Sequence, residues 1–186
     1  KRAGTGSGTY ANNELAVVEA TDEANVKTIT FTDRLGRLIL KKQQATATVW
    51  YSTYYGYDNA NNIIYIISPK GFVKMGTTYD ISTVPELVYR FYYDNKNRLV
   101  RKKTPGAKET FMVYDPLDRL VLTQDGNLRS AGGTAWMYMK YDNAGRAIIQ
   151  GKYTHGSVLT QAQMQAHVNS QTCYASGSST YYEQRM

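Results

Sequence analysis

The sequence has one cysteine, two histidines, four phenylalanines and four prolines in 186 residues. One cysteine excludes a disulfide within the chain and any cysteine-rich metal set. No apolar run approaches the roughly 20 residues a helix needs to span a bilayer. The stretch opens on Lys1 with no charged-then-apolar leader, which does not bear against secretion. Tyrosine is what the sequence has in excess, with 17 residues. Its ring is apolar and its tip polar, so it suits sheet faces and interfaces. Lys+Arg is 22 against Asp+Glu 15, a net charge of +7, and hydrophobic residues make up 42%. That composition is globular and not disordered. A mass of 21.0 kDa suits one ordinary domain better than two.

An internal repeat organises the chain. Five segments align without gaps: Thr32–Leu38, Tyr57–Ile63, Tyr93–Leu99, Tyr114–Leu120 and Tyr141–Ala147. The second place is Asp33, Asp58, Asp94, Asp115 and Asp142. The fifth is Gly36, Asn61, Asn97, Asp118 and Gly145. The sixth is Arg37, Asn62, Arg98, Arg119 and Arg146, and the seventh is apolar throughout. This pattern predicts a hairpin with a three-residue loop, a type I turn followed by one left-handed residue. Aspartate at the turn start accepts from the backbone two residues on. Glycine, or asparagine and aspartate after it, tolerates the left-handed place. The geometry pairs Asp with Arg across the loop and Tyr with an apolar residue one step outward, as in Tyr57–Ile63, Tyr93–Leu99 and Tyr114–Leu120. The Tyr–apolar pairs are then expected on a buried face and the Asp–Arg pairs on the outer one, where ion pairs add little.

The arms read as strands over Val26–Thr32, Leu38–Lys42, Trp50–Tyr57, Asn62–Ile67, Leu87–Tyr93, Arg98–Lys103, Thr110–Tyr114, Arg119–Thr123, Trp136–Tyr141 and Arg146–Tyr153. Ser68–Pro85 reads as an insertion loop. One short helix is expected, over about 160–168, with Thr160 as its cap. The organisation is a flexible lead-in over 1–25, a hairpin array over 26–153, and a polar tail over 154–186. Thr180–Arg185 reads as a strand that stops without a partner, so the chain reads as an excerpt of something longer. The fold class is mainly β: antiparallel hairpin repeats forming a curved or spiral sheet, with one short helix near the C-terminus.

These residues resemble the YD-repeat, or rearrangement-hotspot (Rhs), family, whose signature is Tyr-Asp-x-x-Gly-Arg-Leu. Tyr141–Arg146 matches it outright. Tyr93–Leu99 and Tyr114–Leu120 match with Asn or Asp for Gly, whereas Thr32–Leu38 lacks the Tyr and Tyr57–Ile63 lacks the Arg. The stretch from Tyr93 to Gly126 is similar to Rhs-type surface proteins of Bacteroidetes. The resemblance implies a segment of a long secreted or cell-surface bacterial protein. In such proteins the hairpins build a shell that scaffolds or encloses a C-terminal effector or toxin. No stretch matches the motif of the family's self-cleaving members, so no catalytic residue is carried over.

Other chemistry is thinly represented. His167 and Cys173 could make a nucleophile and base, but no third group is suggested by spacing, and the same holds for His155. The recurring aspartates each have a turn role, and nothing converges two of them on one bond. The expectation is therefore no enzyme, no cofactor and no metal. Lys41–Lys42 and Arg101–Lys103 could form a basic aromatic surface, yet strand Lys and Arg also keep edges soluble, and no nucleic-acid motif is present. The alternative function is a carbohydrate- or envelope-binding surface module, with Tyr89 and Tyr92 as the stacking residues. The expected partners are neighbouring repeats of the same chain and, through exposed strand edges, other copies of it.

Overall fold

The computed structural model describes residues 10–11, 13–77, 80–142 and 144–170. Among the described residues eleven strands follow one another in the sheet in chain order. They are β1 (Ala16–Thr21), β2 (Lys27–Thr32), β3 (Leu38–Gln44), β4 (Trp50–Tyr57), β5 (Ile63–Ile67), β6 (Val88–Tyr93), β7 (Leu99–Lys103), β8 (Thr110–Tyr114), β9 (Leu120–Gln124), β10 (Ala135–Tyr141) and β11 (Ala147–Thr154). The fold is mainly β and built of antiparallel hairpins, with a short helix near the C-terminus. Each of the ten strands read from the sequence is present, with ends shifted by two residues at most.

The described residues fall into two compact units: those up to Phe91 with Lys103–Gly106, and Tyr92–Lys102 with those from Ala107 to Ser170. The reason lies in the repeat, since each strand mainly meets its sequence neighbours and burial stays local.

In the first unit the core is Tyr65, Ile67, Met75, Val84 and Val88. Its cover comes from the segment expected to be a loop. Helix α1 (Pro69–Met75) starts at Ser68, whose hydroxyl accepts from the Gly71 N–H, with proline just inside the first turn. Two 3-10 turns follow, Ile81–Thr83 and Pro85–Leu87. Phe72 of α1 stacks on Tyr54 of β4 with ring centroids 4.7 Å apart. Seven residues are too few for a helical period to show in sequence, so only the Ser-Pro start marked this helix. The lead-in differs as well: Ala16–Thr21 is β1, paired in register with β2 from Ala16↔Thr32 to Thr21↔Lys27.

In the second unit the core is Val113, Val121, Leu122, Trp136, Tyr138, Met164 and Val168. A five-residue helix, α2 (Gly126–Ser130), begins at Asp125, whose carboxylate accepts from the Leu128 N–H. The expected helix is α3 (Gln161–Asn169), and Thr160 and Gln163 close a reciprocal capping box at its start. Its fully buried Met164 and Val168 face the sheet. At about 1.5–3 kcal/mol per buried aliphatic side chain, those two supply much of its anchoring. The Gln165 side chain accepts from the Tyr114 N–H at 3.0 Å and donates to the Tyr114 carbonyl at 2.7 Å, as a neighbouring strand would. Among the described residues α1 and α2 therefore join the expected helix, α3. Thr180–Arg185 and Cys173 lie outside the described residues.

Candidate functional site: a tyrosine–arginine turn ladder

All five repeat turns adopt the geometry that the Asp and Gly/Asn places dictate. The backbone N–H of each aspartate donates to the carbonyl four residues on at 2.9–3.0 Å, and the fifth-place N–H donates back to the aspartate carbonyl at 2.9–3.2 Å. The fifth-place φ values are +76° at Gly36, +70° at Asn61, +59° at Asn97, +61° at Asp118 and +76° at Gly145. The bulge falls where the three-residue loop requires it, and the pairs beyond are Thr32↔Leu38, Tyr57↔Ile63, Tyr114↔Leu120 and Tyr141↔Ala147.

Each aspartate is used twice. One carboxylate oxygen accepts from the backbone N–H four residues on at 2.8–3.0 Å. In four turns the other accepts from the arginine Nε at 2.7–2.8 Å. At the second repeat Asn62 takes the arginine's place, and its Nδ2 donates to Asp58 at 3.0 Å. For three of the four Asp–Arg pairs the outward-facing expectation is corrected by burial, whereas Arg146 is exposed. The Asp33 and Asp115 side chains are 8% and 0% exposed, and Arg37, Arg98 and Arg119 are 22%, 16% and 25% exposed. The carboxylate turns inward because one oxygen serves the loop's own backbone and the other its arginine. Burial raises the carboxyl pKa values of Asp33, Asp58 and Asp94, but the hydrogen bonds from the turn outweigh it and hold all three below the usual range. Asp142 is also held low, chiefly by the Arg146 backbone and side chain. Asp118 is lowered first by Lys96, and it pairs with Arg98 at 2.6 Å as well, so one turn's left-handed residue grips the preceding turn.

In three repeats the tyrosine at the head acts on the turn before it. Tyr57 Oη donates to the Leu38 carbonyl at 3.0 Å, Tyr114 Oη to the Leu99 carbonyl at 2.8 Å, and Tyr141 Oη to the Leu120 carbonyl at 2.8 Å. The same three rings lie over the guanidinium groups of Arg37, Arg98 and Arg119, with Cζ 5.1, 4.9 and 5.1 Å from the ring centroids. Burial raises the pKa of all three phenols. The ladder thus has three parts: an Asp–Arg pair that closes a turn, a tyrosine on that arginine, and a hydroxyl bond to the first carbonyl of the following strand. Sequence reasoning assigned the tyrosines to packing and missed this second role. The recurrence of Arg at the sixth place ahead of the next Tyr was its only visible signal.

The remaining candidates fall elsewhere. The Arg101 guanidinium sits 3.7 Å from the Tyr92 ring centroid and covers one face of it. Tyr89 is half-buried, and Tyr92 lies three positions further on, a spacing that strand alternation sends to opposite sides. Lys103 pairs with Glu86 at 2.7 Å, Arg101 reaches Glu109 at 3.4 Å, and Lys42 lies over Trp50. His155 and His167 meet edge to face with centroids 5.1 Å apart. Among the described residues no three His, Cys, Asp or Glu gather as a metal centre, and no helix is long and apolar enough to cross a membrane.

No protein-family model matches the chain, and no curated protein matches it. Solved structures do. The crystal structure of TcdB2-TccC3-Cdc42 superposes with a TM-score of 0.54 at 17% identity over 78% of this chain. TcdB2-TccC3 without its hypervariable C-terminal region gives 0.53 at 17% over 79%, and TcdB2-TccC3-TEV gives 0.51 at 15% over 78%. The likeness is one of fold, and the chain spans 7% of the length of those chains.

Proposed function

We propose that this chain is a non-enzymatic structural segment of a large secreted or cell-surface bacterial YD-repeat protein of the Bacteroidetes type. Its work is to build part of a scaffold or enclosure for a C-terminal effector. The observation that carries this reading is the ladder. The repeated charged and aromatic residues are committed to holding one hairpin against the next, and Asp115, the most buried of the turn aspartates, has both oxygens engaged. Such a device rewards long runs of hairpins, because every added repeat supplies the tyrosine that the previous arginine lacks. One of the similar complexes is described without a hypervariable C-terminal region. A constant scaffold carrying a variable cargo at its end has that organisation.

The test is the mass and location of the native product. An antibody against this segment, applied to fractionated cells and medium of the source organism, should detect a species several times larger than 21.0 kDa at the surface or in the medium. A product of about this size inside the cell would overturn the reading.

A further inference from the structure

We infer that the face of β3–β6 turned away from helix α1 is a binding surface for an acidic polysaccharide, with Tyr51, Tyr55 and Tyr89 as stacking platforms and Lys41 as the partner of a sugar's acidic group. The inference goes beyond the scaffold reading and does not depend on it.

The observation is how the tyrosines are used. Tyr54 stacks on Phe72, Tyr65 packs into the first core, Tyr92 lies beneath Arg101, and Tyr57, Tyr114 and Tyr141 make the ladder. Among the described residues the side chains of Tyr51, Tyr55 and Tyr89 engage no other ring, cation or hydrogen-bonding group. All three share one face of the first unit. Tyr54 meets α1 on one side of β4, so alternation sends Tyr51, Thr53 and Tyr55 to the other. Ile67 and Val88 are buried with Met75 of α1, so Ile66 and Tyr89 face away from that helix.

The register sets Tyr55, Ile66 and Tyr89 in one row across three neighbouring strands, through Tyr55↔Ile66 and Ile66↔Tyr89. At the usual strand spacing the two tyrosines stand about 10 Å apart, with an aliphatic floor between them. That is the span of a disaccharide. Tyr51 lies about 13 Å from Tyr55 along β4, and it is 56% exposed. A pyranose ring offers a C–H face to an aromatic ring and hydroxyls to its surroundings, and tyrosine answers both with one side chain.

Charge selects an acidic sugar. Glu19 is the one carboxylate within strands β1–β6. Its register through Ile29 to Lys42, two residues from Leu40, places it on the α1 face, since Leu40 pairs with Tyr54. Lys41 faces the other way, between Thr30 and Thr53, and among the described residues it has no acidic partner. An unpaired cation on a face without carboxylates attracts an anion, and the tyrosines beside it supply the platform for the sugar that bears one.

The test titrates the 186-residue protein with hexasaccharides of polygalacturonate, hyaluronan and chondroitin sulfate, and with maltohexaose as the neutral control, followed by amide NMR at physiological salt. Saturable shifts are expected with at least one acidic hexasaccharide, centred on residues 41, 51–55, 66 and 89. Tyr51→Ala and Lys41→Gln should each weaken binding at least threefold, and Tyr89→Ala at least fivefold. Tyr89→Phe keeps the ring and should retain most of the affinity, and Tyr92→Ala should leave it unchanged. The amide spectrum of each variant reports separately whether the sheet is intact. No binding of any acidic hexasaccharide, equal binding of maltohexaose, binding that depends on Lys41 but not on the tyrosines, or shifts centred on α1 would each overturn the assignment.

Discussion

Gly145 has φ +76° and an added Cβ there would meet nothing within 4 Å. Any cost of a side chain at this position is therefore backbone strain, about 1–2 kcal/mol for a left-handed L-residue. Gly145→Val should lower the melting temperature by roughly 2–8 °C for a chain of this size, and Gly145→Asn by much less. An unchanged melting curve for the valine variant would contradict the turn assignment. Gly56 is the opposite case. Its φ is unremarkable, but a Cβ would lie 2.0 Å from the ring of Tyr65, its cross-strand partner, which is 6% exposed. Gly56→Ala is expected to destabilise by about 1–3 kcal/mol through overpacking, with chemical denaturation as the check. The same fit recurs at Gly151 beneath Tyr138. Gly36 and Gly145 were legible from the repeat, because a turn declares its own φ. Gly56 and Gly151 were not, because their constraint comes from a ring on another strand.

The hairpin is the repeating element and the ladder is what joins hairpins. Tyr141→Phe removes the hydroxyl that meets the Leu120 carbonyl but keeps the ring over Arg119. A loss of about 0.5–1.5 kcal/mol is expected. Combined with Arg119→Ala in a double-mutant cycle, the pair should show coupling, since each side chain sits on the other. Strict additivity would mean that the ring and guanidinium are neighbours without interaction. Helix α3 depends on side chains aimed at the sheet. Met164 is 0% exposed, so Met164→Ala should cost about 2–5 kcal/mol. Hydrogen exchange should show α3 opening before the strands it covers. The Thr160 cap made this helix visible in sequence, whereas α1 and α2, at seven and five residues, are shorter than any period can reveal.

At the scale of the molecule the ladder predicts how stability follows pH. The folded pKa values of Asp33, Asp58, Asp94 and Asp142 lie below the ordinary carboxylate value. The unfolded chain therefore binds these protons first as pH falls. Their contribution is present above about pH 4 and is lost progressively below it. Tyr57, Tyr114 and Tyr141 are raised, and Tyr65 is pushed up to about 12 by burial. Here the unfolded chain loses its protons first, so stability falls as pH climbs past about 10. Denaturant midpoints should accordingly be flat between these limits and decline on both sides, and a monotonic dependence would contradict the ladder electrostatics. Ten of the eleven strand positions among the described residues, the turn geometry and the hairpin register were written in the sequence, whereas β1 was not. They rest on local rules: alternation, an aspartate that caps its own turn, and a residue that tolerates positive φ. Only the tertiary structure decided that three of the four Asp–Arg pairs are sheltered, that the burial divides between two cores, that α1 and α3 cover them, and that Tyr57, Tyr114 and Tyr141 each belong to the preceding turn. Those outcomes depend on which strand lies beside which, and a linear pattern does not carry that proximity.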